Sequence, residues 1–134
     1  MEDARLEVTA IAENLRKIRD FVREYIDKCD ELGSYKDELV LATDEACQNV
    51  VRHAYKDKDG NVAIKLSFQN KELIVCIEDD GTPVIPEKIK PRDIEDIKPG
   101  GLGTFFINQI MDSVSFQLTS PQWVNCLTMK KKIK

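Results

Sequence analysis

Near Gly60 the chain changes its hydrophobic period, and that switch limits the fold more than any other feature. Upstream, Leu15, Ile18, Phe21, Val22, Tyr25, Ile26, Cys29 and Leu32 recur at helical spacing and predict an amphipathic helix over residues 15–32. Arg16, Arg19, Asp20 and Arg23 take its opposite face, and Gly33 is placed to end it. Ser34, with Asp37 three residues on, has the form of a capping box and predicts a second helix running to about Tyr55. Downstream of the turn "DKDGN", Val62, Ile64, Leu66 and Phe68 alternate with Ala63, Lys65, Ser67 and Gln69, the period of a half-buried strand. One chain with both periods needs a helical layer and a sheet.

The remaining segments fill out that plan. Residues 5–9 alternate and predict a first strand. Asn70 and Lys71 suit a two-residue hairpin into a strand over residues 72–79, because asparagine tolerates the positive φ such turns require. Residues 81–100 hold Pro83, Pro86, Pro91 and Pro99 among many charges and read as a long loop, a kind usually functional or mobile. A third helix is predicted from near Thr104 to near Asp112, then a strand through Val114, Phe116 and Leu118, the turn "SPQ", and a last strand over residues 123–131. The order βααββ-loop-αββ implies an α+β fold: a two-layer sandwich with one mixed, mostly antiparallel sheet and helices on a single face. With 134 residues and no internal repeat, residues 1–134 are expected to form one domain.

Charge and composition narrow the function classes. Lysine and arginine number 20 against 24 acidic residues, a net charge of −4, which argues against nonspecific nucleic-acid binding and favours protein or small-molecule partners. The acidic start "MEDARLEVTA" has no cationic-then-apolar leader, and no apolar run approaches the roughly 20 residues of a membrane span, so a cytoplasmic chain is expected. Cys29, Cys47, Cys76 and Cys126 contain no C-x-x-C pair and read as small apolar residues kept reduced.

Three stretches carry polar residues whose placement invites a chemical reading. In "TDEACQNVVRHAY", Glu45 and Asn49 lie one helical turn apart, with Arg52 a further turn along. They form either a solvated face or a site in which an amide oxygen ligates Mg2+ and a carboxylate orients or deprotonates a nucleophile. The lone His53 has no serine or cysteine at a recognisable spacing and reads as structural. In "ELIVCIEDDGTP", strand parity sends Asp79 to the face of Leu73, Val75 and Ile77, and sends Asp80 to the other. A carboxylate closing an apolar row needs a donor; an adenine amino group would serve, with Gly81 allowing close approach, and a plain Asp-Gly turn is the alternative. In "PGGLGTFFINQIMD", Gly100, Gly101 and Gly103 expose backbone amides before a helix start, where Thr104 adds a hydroxyl. That suits an anion, or only a tight connection; it is neither a Walker loop nor a dinucleotide fingerprint.

Taken in order, "DEACQNVVRHAY" resembles the N box, "EDDGTP" the first glycine box and "GGLGTFFI" the second glycine box of the GHKL, Bergerat-type ATP-binding fold. The nearest resemblance is to the anti-sigma-factor serine/threonine kinases, the RsbW/SpoIIAB-like group, and it extends to "ENLRKIRDFV" in the first helix. The resemblance implies ATP and Mg2+ as cofactors, with Asn49 coordinating the metal and Glu45 as general base toward a serine or threonine hydroxyl. It implies that Asp79 accepts from the adenine amino group beside Gly81, that Gly101, Leu102, Gly103 and Thr104 line the triphosphate, that Arg52 assists with phosphates and that Arg19 contacts a partner. Pro83, where gyrase-like ATPases and histidine kinases usually carry glycine, favours the anti-sigma group. The implied partners are a small anti-sigma-factor antagonist, a sigma factor and a second copy of the chain. The competing readings are an ATP-binding partner-switch module that transfers nothing, a histidine-kinase-like catalytic domain, and a domain whose three motifs are all structural.

Overall fold

The computed structural model describes residues 2–54, 60–80, 107–118 and 125–133, excepting the side chains of residues 53, 54 and 116–118. Strands β1 (Ala4–Thr9), β2 (Asn61–Gln69), β3 (Glu72–Asp79), β4 (Ser113–Leu118) and β5 (Asn125–Lys132) form one sheet in the order β1-β2-β3-β5-β4. All four described pairings are antiparallel, so the expected "mostly antiparallel" sheet is, over these residues, wholly so. Helices α1 (Leu15–Asp27) and α2 (Lys36–Ala54) pack on each other and on the central strands.

Register follows from the alternation. Ile64 faces Ile77, Leu66 faces Val75 and Phe68 faces Leu73, and across the next ladder Ile77 and Val75 meet Leu127 and Met129. These residues join Ile18, Val22, Ile26, Leu32 and Leu39 from the helical layer in one buried core. Each fully buried aliphatic side chain contributes roughly 1.5–3 kcal/mol. A one-residue slip would turn a whole row outward, which fixes the register. The β2–β3 hairpin turns as expected through Asn70 and Lys71, with φ of 52° and 61°. Lys71 takes a left-handed conformation that strains an L side chain. Lys71→Gly is therefore expected to stabilise the fold by about 0.5–1 kcal/mol. An unchanged or lower melting temperature would contradict this.

The first helix ends earlier than its apolar stripe implied. α1 stops at Asp27, and a 3-10 turn, Asp30–Tyr35, leads into α2. The stripe misleads because a 3-10 turn repeats every three residues, so Cys29, Leu32 and Tyr35 continue the same side, and Leu32 is fully buried. Gly33 does not take the left-handed conformation of a helix-ending glycine. Ser34 lies inside the 3-10 turn, not at the helix boundary, so the expected capping box does not form there; Asp37 and Glu38 still sit in the first turn of α2, where their charge suits the helix dipole. Residues 107–110 are helical, within the span expected for a third helix, and Ile107, Ile110 and Met111 are buried in the core. The expected start of that helix, the long loop at residues 81–100 and the beginning of the last strand lie outside the described residues.

Two buried acids, Cys47 and Tyr25, and the half-buried thiol of Cys76 make the fold sensitive to alkali. Burial and then the charge of Asp44 raise Cys47, burial and then Asp3 raise Tyr25, and burial and then Cys126 push Cys76 up to about 12. Each holds its proton more tightly folded than unfolded. Above the ordinary thiol value of 9.0 the unfolded chain loses protons first, so stability falls as pH rises from about 9 toward 12. The melting temperature is expected to be flat from about pH 7 to 8.5 and to decline steadily above about 9. A flat profile to pH 11 would be inconsistent with protons held this way. Among the described residues, no helix is long and apolar enough to cross a membrane.

Candidate nucleotide site

α2 is bound to the sheet by Leu39, Ala42, Thr43, Ala46 and Cys47, all buried. The two alanines let its backbone lie close to β3, the strand that ends in Asp79. Glu45 and Asn49 flank this buried stripe and are half-buried, one turn apart. A wholly solvated face does not describe them. The Asn49 Oδ1 atom is shut off from solvent and accepts no hydrogen bond among the described residues. A buried acceptor left this way costs about 1–3 kcal/mol, so the position is hard to explain by packing alone. Arg52, one turn further, is exposed.

Asp79 lies on the core face, as parity predicted, and is 4% exposed. The donor that its burial demanded is in part the protein's own. Asn125, directly opposite on β5, donates from Nδ2 to Asp79 Oδ1 at 2.9 Å and is itself buried. The sequence held a signal for Asn125 that was not read: Asn125, Leu127 and Met129 share one strand face, so it closes an apolar row just as Asp79 does. Asp80 points the other way, as expected, and its Oδ1 accepts the backbone N–H of Asn61 at 2.9 Å, tying the end of β3 to the start of β2. This anchors the backbone on which Asp79 sits.

A second polar group joins the two helices. Arg19 Nε lies 3.4 Å from Asp44 Oδ1, and Gln48 donates to Asp44 Oδ2 at 2.8 Å. Arg19 thus leans from α1 onto the turn of α2 that carries Glu45, with 39% of its side chain exposed. Such a partly exposed pair contributes at most about 1 kcal/mol. Asp44 was not singled out from the sequence, because its partner Arg19 comes from another helix, and Gln48 gains its place one turn along α2 only through Asp44. Gly81, Gly101, Leu102, Gly103 and Thr104, and the side chain of His53, lie outside the described residues.

Residues 8–131 match the family model described as histidine kinase-like ATPase domain. The chain belongs to that family. Similar curated proteins include the serine-protein kinases RsbW of Bacillus thuringiensis (strain Al Hakam) and Bacillus cereus (strain 03BB102), each 33% identical over 86 residues, or 58% of this chain and 54% of the relative. The chain spans about half the length of the curated relatives it matches. Among solved structures, the RsbU and RsbW domains of Rv1364c from Mycobacterium tuberculosis superpose with a TM-score of 0.71 at 14% identity, covering 99% of this chain and 33% of that one. The catalytic domain of histidine kinase ThkA gives 0.56 at 16% identity, with both chains fully covered. At these identities the likeness is one of fold: an antiparallel sheet with helices, the α+β architecture of this ATPase domain.

Membership in this ATPase domain family gives the polar groups on α2 and β3 a common context. A buried amide oxygen without a donor is a hard, neutral ligand of the kind Mg2+ takes together with phosphates and waters, so Asn49 fits that metal. The Asp79–Asn125 pair holds a buried carboxylate at the end of β3.

Proposed function

We propose that this histidine kinase-like ATPase domain is a serine/threonine protein kinase that uses Mg-ATP to phosphorylate a small anti-sigma-factor antagonist, and that it sequesters a sigma factor as a cytoplasmic homodimer. The observation that carries the proposal is the buried Oδ1 of Asn49, without a donor among the described residues and one turn from Glu45. The names of the RsbW relatives support the choice of serine over histidine as acceptor.

In this reading Asn49 holds Mg2+, which supplies charge neutralisation at the phosphate oxygens. Glu45 accepts the proton of the incoming serine or threonine hydroxyl. Asp79, held by Asn125 and by the Asp80–Asn61 tie, accepts from the adenine amino group beside Gly81. The amides of Gly101, Leu102 and Gly103 and the hydroxyl of Thr104 donate to the triphosphate, and Arg52 adds a positive charge near it. Phosphoryl transfer asks mainly for positioning and charge stabilisation, and these groups supply both. Arg19, presented on α1 beside Asp44, contacts the protein partner.

The test is incubation with Mg-ATP and a candidate antagonist, followed by analysis of the phosphoprotein. Acid-stable phosphoserine or phosphothreonine is the expected product. Acid-labile phosphohistidine would move the protein to the histidine-kinase side of its family. ATP binding with no phosphoprotein, and partner regulation intact, would leave a nucleotide-dependent binding module.

A further inference from the structure

The sheet has a second face, turned away from the helices, and it carries two of the four cysteines. Cys76 on β3 pairs with Thr128 on β5, and Cys126 pairs with Glu78, so the two cysteines are diagonal neighbours on that face. Their sulfur atoms are in contact at 2.7 Å. Cys126 is buried but does not belong to the main core, and Cys76 is half-exposed, which gives a small reagent access to the pair. We propose that Cys76 and Cys126 are a redox modification site, closing to a reversible intramolecular disulfide by exchange with low-molecular-weight disulfides.

The surroundings favour this outcome over the other uses of a thiol pair. Among the described residues, no group of three His, Cys, Asp or Glu residues that could hold a metal ion includes the pair. Burial, then the neighbouring sulfur, oppose ionisation of Cys76, whereas the Thr128 hydroxyl, 4.0 Å from its sulfur, favours it. Cys29 and Cys47 lie in the helical layer, one near the end of α1 and one within α2, and do not compete for the bond.

The chemistry balances without a cofactor. Cys76, whose raised thiol must first give its proton to solvent, attacks a small disulfide as the thiolate and expels one small thiolate; Cys126, deprotonated in its turn, attacks the mixed disulfide and expels the second. The protein loses two protons and two electrons, and the small disulfide leaves as two thiols. Closure needs the two sulfur atoms, 2.7 Å apart, to approach to the ordinary bond length of about 2.05 Å. The crosslink joins residues 50 apart in sequence and lies beside Asn125.

The test equilibrates the whole, unmutated chain at graded ratios of oxidised to reduced glutathione, traps free thiols by alkylation and maps the peptides without reduction. One crosslink between the Cys76 and Cys126 peptides is expected, reversed by dithiothreitol, with a rise in melting temperature on the order of 5 °C. The rise should vanish in Cys76→Ser. Four free thiols at every ratio, glutathione adducts alone, a crosslink through Cys29 or Cys47, or an equal rise in Cys76→Ser would each overturn the proposal. Because the unmutated chain gives the decisive map, a poorly folding variant does not decide the result.

Discussion

Replacing Glu45 by glutamine is expected to slow phosphoryl transfer to the antagonist by about 10²–10⁴-fold while ATP affinity stays within about threefold. The substitution keeps length and shape at a half-buried position on α2, so the fold is preserved. What disappears is the proton-accepting carboxylate one turn from Asn49, while the neighbouring Asp44 stays engaged by Arg19 and Gln48. Removing a negative charge beside phosphates gives no reason for ATP to bind less well. Single-turnover transfer, measured alongside nucleotide titration, separates the two quantities. Unchanged transfer would remove Glu45 as the base, and loss of ATP binding in step with transfer would place it in binding instead.

The second large effect is expected at Asp79. In Asp79→Asn the side chain keeps its volume, and its amide oxygen can still accept from Asn125 Nδ2, so the β3–β5 ladder should survive with a small drop in melting temperature. An amide that satisfies Asn125 with its oxygen turns its NH2 group toward the adenine amino group, setting donor against donor. A polar mismatch of this kind in a buried site costs about 1–3 kcal/mol, so ATP affinity should fall roughly 10–100-fold. Equal affinity in the two proteins would show that Asp79 supports the sheet and does not read the base.

Asp79 also shows how far the sequence could be read. Its place on the core face followed from parity alone, because a strand repeats every two residues and leaves no choice once Val75 and Ile77 are buried. The hairpin at Asn70 and Lys71 was legible for a similar reason: a two-residue turn demands positive φ, and few residues supply it. Interactions between elements were not legible. Asn125 meets Asp79, Arg19 meets Asp44, and Cys76 meets Cys126 only because particular strands and helices pack side by side. The end of α1 escaped for a local reason, since a 3-10 turn and an α-helix share the three-residue spacing at Cys29, Leu32 and Tyr35. Asn49 could be placed on a face by spacing, but the burial of its oxygen needed the packed structure.

The strand order has a consequence for the making of the protein. β5 follows the other four strands in the chain, yet it is inserted between β3 and β4 and not added at an edge. During synthesis β1, β2 and β3 can pair early, leaving one side of β3 open, and β4 has no neighbour to join until β5 arrives. Asp79 gains Asn125 only at that last step. A nascent chain cut short of residue 125 would keep its hairpin but hold an incomplete sheet and an unsupported carboxylate. Chains interrupted before β5 would therefore lack both the strand that joins β3 to β4 and the Asn125 amide that supports Asp79.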